Sequence, residues 1–358
     1  MSYLDNLTTA IIQEIAVRDE ALGVARTRRD RVRRAGESFT GATGSYLSGS
    51  LAYGTAIRPV NDRDKGVDGD SGIILNRRNW PALGPDSANE GGPCDVVEDV
   101  KQHLRTKLRD DYPNLRISTT EKRAIRITFT EPIDTGEDPP VELIVALTRK
   151  DAPGLWIPNL KSNSWDAADP MKHRKLINTD PGSALRSRRA KVVRLAKQWN
   201  KKRATPAFSS FHLQALALET LGTGETNLSI VSSLTTYFDA SATALGDGMT
   251  QDPAGVSGTL KLQNGTGKAT AVQRLRNVAT ALSEARQQPN DKELVREHLG
   301  PLFGADVVAA AHNRVQASAL STGNGSLAAF ASGIGITTSK RSPNPRLTQR
   351  SPNAWAPK

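Results

Sequence analysis

The stretch Ser48–Leu75, SGSLAYGTAIRPVNDRDKGVDGDSGIIL, opens on a glycine turn and closes on two carboxylates spaced one apart. A Gly-Ser turn running into a short helix lets backbone N–H groups approach an anion, because glycine lacks a Cβ and a helix start has unpaired donors. Gly49-Ser50 and Gly44-Ser45 both have this form, and Ser50 adds a hydroxyl. Asp68 and Asp70 run into the apolar end of a strand expected over Val67–Leu75. Residues i and i+2 of a strand point to one face, so the two carboxylates converge and repel unless a cation lies between them. Oxygen ligands at that density suit Mg²⁺, which favours carboxylates together with substrate phosphates. Asp62 and Asp64 form a similar pair, but no apolar strand follows them.

Glu142 interrupts VELIVAL, otherwise an apolar strand. An acid inside such a run is costly to bury unless it is ion-paired or bound to a metal. Two readings follow: an ion pair with Arg126 across the sheet, or the third carboxylate of a two-metal cluster.

Outward from these residues, 4–34 read as one long amphipathic helix ending in a basic run, closed by the Gly/Ser/Thr-rich segment after Gly36. Asp95 is placed to N-cap a helix whose Val97, Val100, Leu104 and Leu108 share a face. LRISTT, AIRITFT and VELIVAL read as strands, giving an α+β lobe with a helix behind a mixed sheet. From Asp169 the signals are helical: SALRSRRAKVVRLAKQWNKKR, SSFHLQALALETL, LSIVSSLTTYFDAS and ATAVQRLRNVATALSEARQ. The expected organisation is a helix over 1–36, the α+β lobe over 37–168, a helical bundle over 169–338, and a disordered tail over 339–358 with five basic residues, no acid and four prolines.

The chain has 358 residues and a net charge of +11, which favours polyanionic partners such as nucleotides or nucleic acid. One cysteine, Cys94, excludes disulfides within the chain and cysteine-based zinc sites, and the five histidines show no metal-ligand spacing. No run approaches the roughly twenty apolar residues of a membrane span, and the early acids lack a signal-peptide layout, so a cytoplasmic protein is expected.

Taken together, SGSLAYGT, VDGDSGIIL and VELIVAL resemble the nucleotidyltransferase signature of the polymerase-β superfamily, and more narrowly the cGAS/DncV-like enzymes (CD-NTases) of bacterial antiphage signalling. The family pattern, Gly-Ser, three residues, then Gly-Thr, selects Gly49-Ser50 and Gly54-Thr55. Trp165, Asp169 and Pro170 are similar to landmarks of the segment linking the family's two lobes. The resemblance implies a polymerase-β-like lobe plus a helical lobe, spanned by the N-terminal helix. It implies Asp68, Asp70 and Glu142 as catalytic ligands of two Mg²⁺ ions, with Mn²⁺ as an alternative, and Gly49, Ser50, Lys197 and Ser210 on the triphosphate. Phe211 would stack on a base. The expected reaction joins ATP, GTP or other nucleoside triphosphates into a cyclic di- or trinucleotide that reaches a downstream effector (the CBASS form of antiphage defence).

A monomer is expected, with nucleic-acid binding not favoured. The alternatives are an RNA 3′-end nucleotidyltransferase, for which the nine cations of 183–203 would form an RNA track, and a catalytically inactive nucleotide-binding relative. The chain departs from the family pattern in the long spacing between Ser50 and Asp68, in Gly69 between the carboxylates, in Glu142 where Asp is commoner, and in Val145 where the family has proline.

Overall fold

The apolar stripe that opens the chain serves two different cores. In the computed structural model, which describes residues 1–61, 67–85, 87, 91–150, 152–179, 182–222 and 228–323, α1 spans Tyr3–Glu14 and α2 spans Asp19–Glu37. The expected single helix is therefore two. Leu4, Leu7, Ile11 and Ile15 join a core built with the later helices, whereas Val17, Ala21 and Ala25 pack on Leu51, Ala56 and Val67, and Val32 packs on the sheet. One straight rod cannot face both directions. The Ile15 carbonyl, freed at the break, accepts from the Arg58 N–H at 2.9 Å. No Gly or Pro marks the break; Asp19 and Glu20, acids that favour a helix N-terminus, are its local trace.

The α+β part continues with β1 (Ala42–Leu47), α3 (Gly49–Ala52), β2 (Gly69–Leu75), α4 (Cys94–Leu108), β3 (Arg116–Ser118), β4 (Ile125–Thr128), β5 (Val141–Thr148), β6 (Leu155–Asn159) and β7 (Ser164–Ala168). β2 begins after Asp68 rather than at Val67. α4 starts at Cys94 with Pro93 in the cap position, so Asp95 sits in the first turn instead of capping it. β6 and β7 form a hairpin of the sheet within the stretch expected as linker, and Trp165 on β7 donates its indole N–H to the Gly91 carbonyl.

Among the described residues the sheet has seven strands in the order β1-β2-β5-β4-β3, with the β6–β7 hairpin joined to the far half of β5. β2 and β5 run parallel; the other pairs are antiparallel. Alternation then sorts the side chains. Ile73 and Leu75 of β2 and Val141, Leu143, Val145 and Leu147 of β5 face α2 and α4, where they form one core with Val32, Val100 and Leu104. Asp70 and Glu142 occupy the opposite phase.

The helical part comprises α5 (Pro170–Arg174), α6 (Ser183–Lys201), α7 (Ser210–Thr220), α8 (Ile230–Asp247), α9 (Lys268–Gln287), α10 (Lys292–Phe303) and α11 (Ala305–Gly323). Trp199, Phe208, Tyr237, Phe238 and Phe303 are buried together with the apolar face of α1. Residues 316–358 form a separate unit, of which only the end of α11 is described; the basic tail and Asp62 and Asp64 lie outside the described residues. Because Ile11 is fully buried in the helical core, Ile11→Ala should lower unfolding free energy by about 2–5 kcal/mol in urea denaturation.

Candidate active site

Parallel pairing of β2 with β5 sets Asp70 directly beside Glu142 on the face away from α2 and α4. Asp68, just ahead of the strand, completes a cluster in which one oxygen of each carboxylate lies within 4.8 Å of the others. Burial, reinforced by the charges of Asp68 and Glu142, pushes the Asp70 pKa well up, against smaller opposing effects of Lys197 and Arg126. Glu142 is likewise raised, first by burial and then by Asp68, with Arg126 working against the shift. Oxygen-only donors, mutual repulsion and partial exclusion of water fit a divalent cation. Both readings of Glu142 meet in one side chain: Arg126 donates to it at 2.6 Å from the paired position on β4, while the same carboxylate belongs to the acidic cluster.

The glycine turn lies against this cluster. Gly49 has φ +73°, and a Cβ built there would fall inside the Asp70 carboxylate, so only glycine lets the turn close over the acid. Gly69, between the two carboxylates, has a packing cause. A Cβ at Gly69 would lie 2.8 Å from the Arg29 Cβ and 3.1 Å from the Ala25 carbonyl oxygen, because α2 crosses β2 at this point. The competing Ser45 lies in β1 and is bonded to Arg33 and Glu37, whereas Gly49 and Ser50 line the cleft above the acids.

That cleft has a volume of about 1230 Å³. Lys197 from α6 lines it; the side chain is only 4% exposed and its Nζ donates to the Thr55 carbonyl at 2.9 Å. Ser210 and Phe211 line it from the first turn of α7, Phe211 half-buried with its ring 4.6 Å from that of His173. Of the residues expected at the site, Gly49, Ser50, Asp68, Asp70, Lys197, Ser210 and Phe211 line this one cavity, whereas Glu142 joins the acidic cluster of Asp68 and Asp70 without being part of the cavity lining.

Sequence reasoning missed several others. Gln214 stands one turn after Ser210, also lines the cleft, and donates to the Thr55 hydroxyl at 2.9 Å; the i, i+4 spacing from Ser210 was the available signal. Tyr46 and Tyr53 lie beside Asp70, and burial pushes Tyr53 up to about 12. Val256, Ser257, Thr259, Leu260 and Lys261 form a further wall from a Gly/Ser/Thr-rich loop that carries no recognisable pattern.

These environments have measurable consequences. Below the ordinary carboxylate range, near 3.8, Asp70 is neutral in both folded and unfolded chains. As pH rises through its elevated folded value, the folded state must accept a charge that the unfolded chain already carries comfortably, so stability is lost. Chelator-treated protein should therefore show a Tm at neutral pH that rises on adding a divalent cation; Asp70→Asn should abolish that response and raise the chelated Tm. Gly69→Val should cost roughly 1–3 kcal/mol by wedging α2 from β2, read by denaturant unfolding.

No protein-family model and no curated protein matches the chain. Among solved structures it resembles the Bradyrhizobium diazoefficiens CD-NTase CdnG in complex with GTP, at TM-score 0.62 and 15% identity over 87% of this chain and 98% of that one. The CdnC:HORMA-deltaN complex of E. coli MS115-1 gives TM-score 0.62 and 18% identity over 84% and 96%. The apo form of Vibrio cholerae DncV gives TM-score 0.62 and 13% identity over 86% and 96%. At such identities the likeness speaks for architecture, and it spans both the sheet and the helices. The chain has the fold of the cGAS/DncV-like nucleotidyltransferases.

Proposed function

We propose that this protein is a metal-dependent nucleotidyltransferase that joins nucleoside triphosphates into a cyclic di- or trinucleotide with release of pyrophosphate. The observation that carries this reading is the acidic cluster of Asp68, Asp70 and Glu142, with the Gly49 turn closed against Asp70 and with Gly49, Ser50, Asp68, Asp70 and Lys197 lining one cleft. Similar folds include a CD-NTase in complex with GTP and a cyclic AMP-GMP synthase in complex with nonhydrolyzable GTP.

The three carboxylates would hold two Mg²⁺ ions, with Mn²⁺ as a substitute. When bound, the ions neutralise the triphosphate and lower the barrier for a ribose hydroxyl to attack the α-phosphorus. The turn at Gly49 and Ser50 receives the β- and γ-phosphates, and the Ser50 and Ser210 hydroxyls donate to their oxygens. Lys197, whose charge already bears on Asp70, adds a point charge on the leaving pyrophosphate. Phe211 offers an aromatic face to a base. Arg126 donates to Glu142 and works against the upward shift that burial and Asp68 impose on its carboxyl. The attack forms a P–O bond to the ribose oxygen and breaks the bond to pyrophosphate. The soluble product would be read by a separate effector in antiphage signalling.

One observation weighs against the RNA-tailing alternative. On the basic helix, Arg186, Arg189, Arg194 and Lys202 donate to the carbonyls of Asn178, Leu221, Gly54 and Gly300. Those contacts hold four of its nine cations against the protein itself, which reduces what the helix offers to an RNA backbone.

Incubation with labelled ATP and GTP and Mg²⁺ should yield a phosphatase-resistant product whose mass identifies its bases and ring size. Asp68→Ala should abolish it, and Lys197→Ala should raise KM roughly ten- to a hundredfold, as expected for losing a charge-assisted contact of 1.5–3 kcal/mol. Absence of product, or a product indifferent to Asp68→Ala, overturns the reading; a ladder formed only with added RNA would favour the alternative.

A further inference from the structure

The loop between α8 and α9 has no role in any sequence pattern, yet it forms one wall of the cleft through Val256, Ser257, Thr259 and Leu260. It is rich in Gly, Ser and Thr and contributes little to any apolar core. A buried carboxylate sits at the centre of its hydrogen bonds. Asp252, 3% exposed, accepts from the N–H groups of Ala254 at 3.0 Å, Val256 at 3.1 Å and Ser257 at 2.8 Å. Its own N–H donates to the Gly258 carbonyl and its carbonyl accepts from Gly255, both at 2.8 Å, which closes the turn on itself.

The fourth partner of that carboxylate is external: His173 Nε2 donates to it at 2.5 Å. Burial alone would push the Asp252 carboxyl up, but donation from Ser257, His173 and Ala254 outweighs it and holds the group below the usual carboxylate range. The preceding residue of α5, Lys172, donates to the Ala254 carbonyl at 2.9 Å, so α5 grips the loop at two points. On its other side the His173 ring packs on Phe211. His212, the residue after Phe211, bonds the Thr250 hydroxyl at 2.8 Å, just before the loop turns. His173 is the member common to the loop and the aromatic wall.

We infer that Asp252 and His173 are positioning residues that lock the 252–260 loop to Phe211 and so shape the nucleoside end of the cleft. The inference rests on the nucleotidyltransferase reading. Neither residue reaches the acidic cluster through any hydrogen bond among the described residues, so the pair acts on substrate placement and leaves the metal ligands untouched. With the clamp released, the loop loses the bonds that gather residues 254–257 and fix them to α5, and the base loses a surface that was set before binding.

The test compares wild type, Asp252→Asn, His173→Ala and His173→Gln. Titration calorimetry with nonhydrolysable ATP and GTP analogues and Mg²⁺ is read beside KM and kcat. Asp252→Asn and His173→Ala should weaken analogue binding and raise KM by about tenfold or more, as for loss of a charged hydrogen bond, with kcat at saturation within about twofold. His173→Gln, whose amide nitrogen can occupy the Nε2 position, should recover most of the affinity. Unchanged binding and KM in His173→Ala overturn the inference, as does a fall in kcat with KM unchanged, or Gln behaving like Ala. If Asp252→Asn fails to fold, the Ala and Gln variants at His173 carry the comparison alone, joined by Leu260→Ala, which should raise KM if the loop wall touches substrate. A wild type that binds neither analogue overturns the functional reading itself, whereas wild-type binding with insensitive variants overturns the clamp alone.

Discussion

Two carboxylates set side by side on adjacent parallel strands, partly out of water, is the constraint on which the rest of the structure depends. Register makes Asp70 and Glu142 neighbours, and Asp68 adds a third negative charge. Such an arrangement is unfavourable as bare anions. The surroundings answer it with cations from two directions: Arg126 across the sheet to Glu142, and Lys197 from the helices toward Asp70. Two glycines answer it sterically. Gly49 lets the turn approach the Asp70 carboxylate, and Gly69 lets α2 lie close against the strand that presents the acids.

The same economy explains how helices and sheet share one cleft. Thr55, just past the glycine turn, is bonded through its carbonyl by Lys197 and through its hydroxyl by Gln214. Those contacts tie the segment after the glycine turn to α6 and α7. Elsewhere, α5 leaves the last strand at Asp169, whose side chain caps it by accepting from Lys172 N–H, and its next residue His173 reaches the loop and Phe211. The N-terminal helices distribute themselves in the same way, α1 with the helical core and α2 with the sheet.

Candidate site residues were legible wherever the pattern sits in neighbouring residues. A glycine turn, two acids at i and i+2, and a lone acid in an apolar strand each announce themselves locally, since strand alternation turns spacing into direction. Lys197, Ser210 and Phe211 were legible only by resemblance, since a lysine on a basic helix or a phenylalanine in an apolar one has no local mark of function. Lys197 illustrates the difficulty: it is one of nine cations on 183–203, and burial against Thr55 is what distinguishes it. The break after Glu14 was illegible for a related reason. Its apolar spacing continues in phase, and only the separate destinations of Ile15 and Val17 require the chain to turn.

By itself, the sequence determined the pieces that local geometry specifies: the acidic strands, the α+β order followed by helices, and a single cysteine that rules out disulfides within the chain, while the choice of Gly49-Ser50 over Gly44-Ser45 came from resemblance. Tertiary structure alone decided which charges face each other and which loop closes the cleft. Strand order brought Glu142 beside Asp70 across 72 residues of chain, and one buried carboxylate, Asp252, shaped a loop with no pattern of its own. The reason is physical: spacing within an element fixes direction through its period, whereas pairing between elements depends on burial and register, which no short stretch of residues contains.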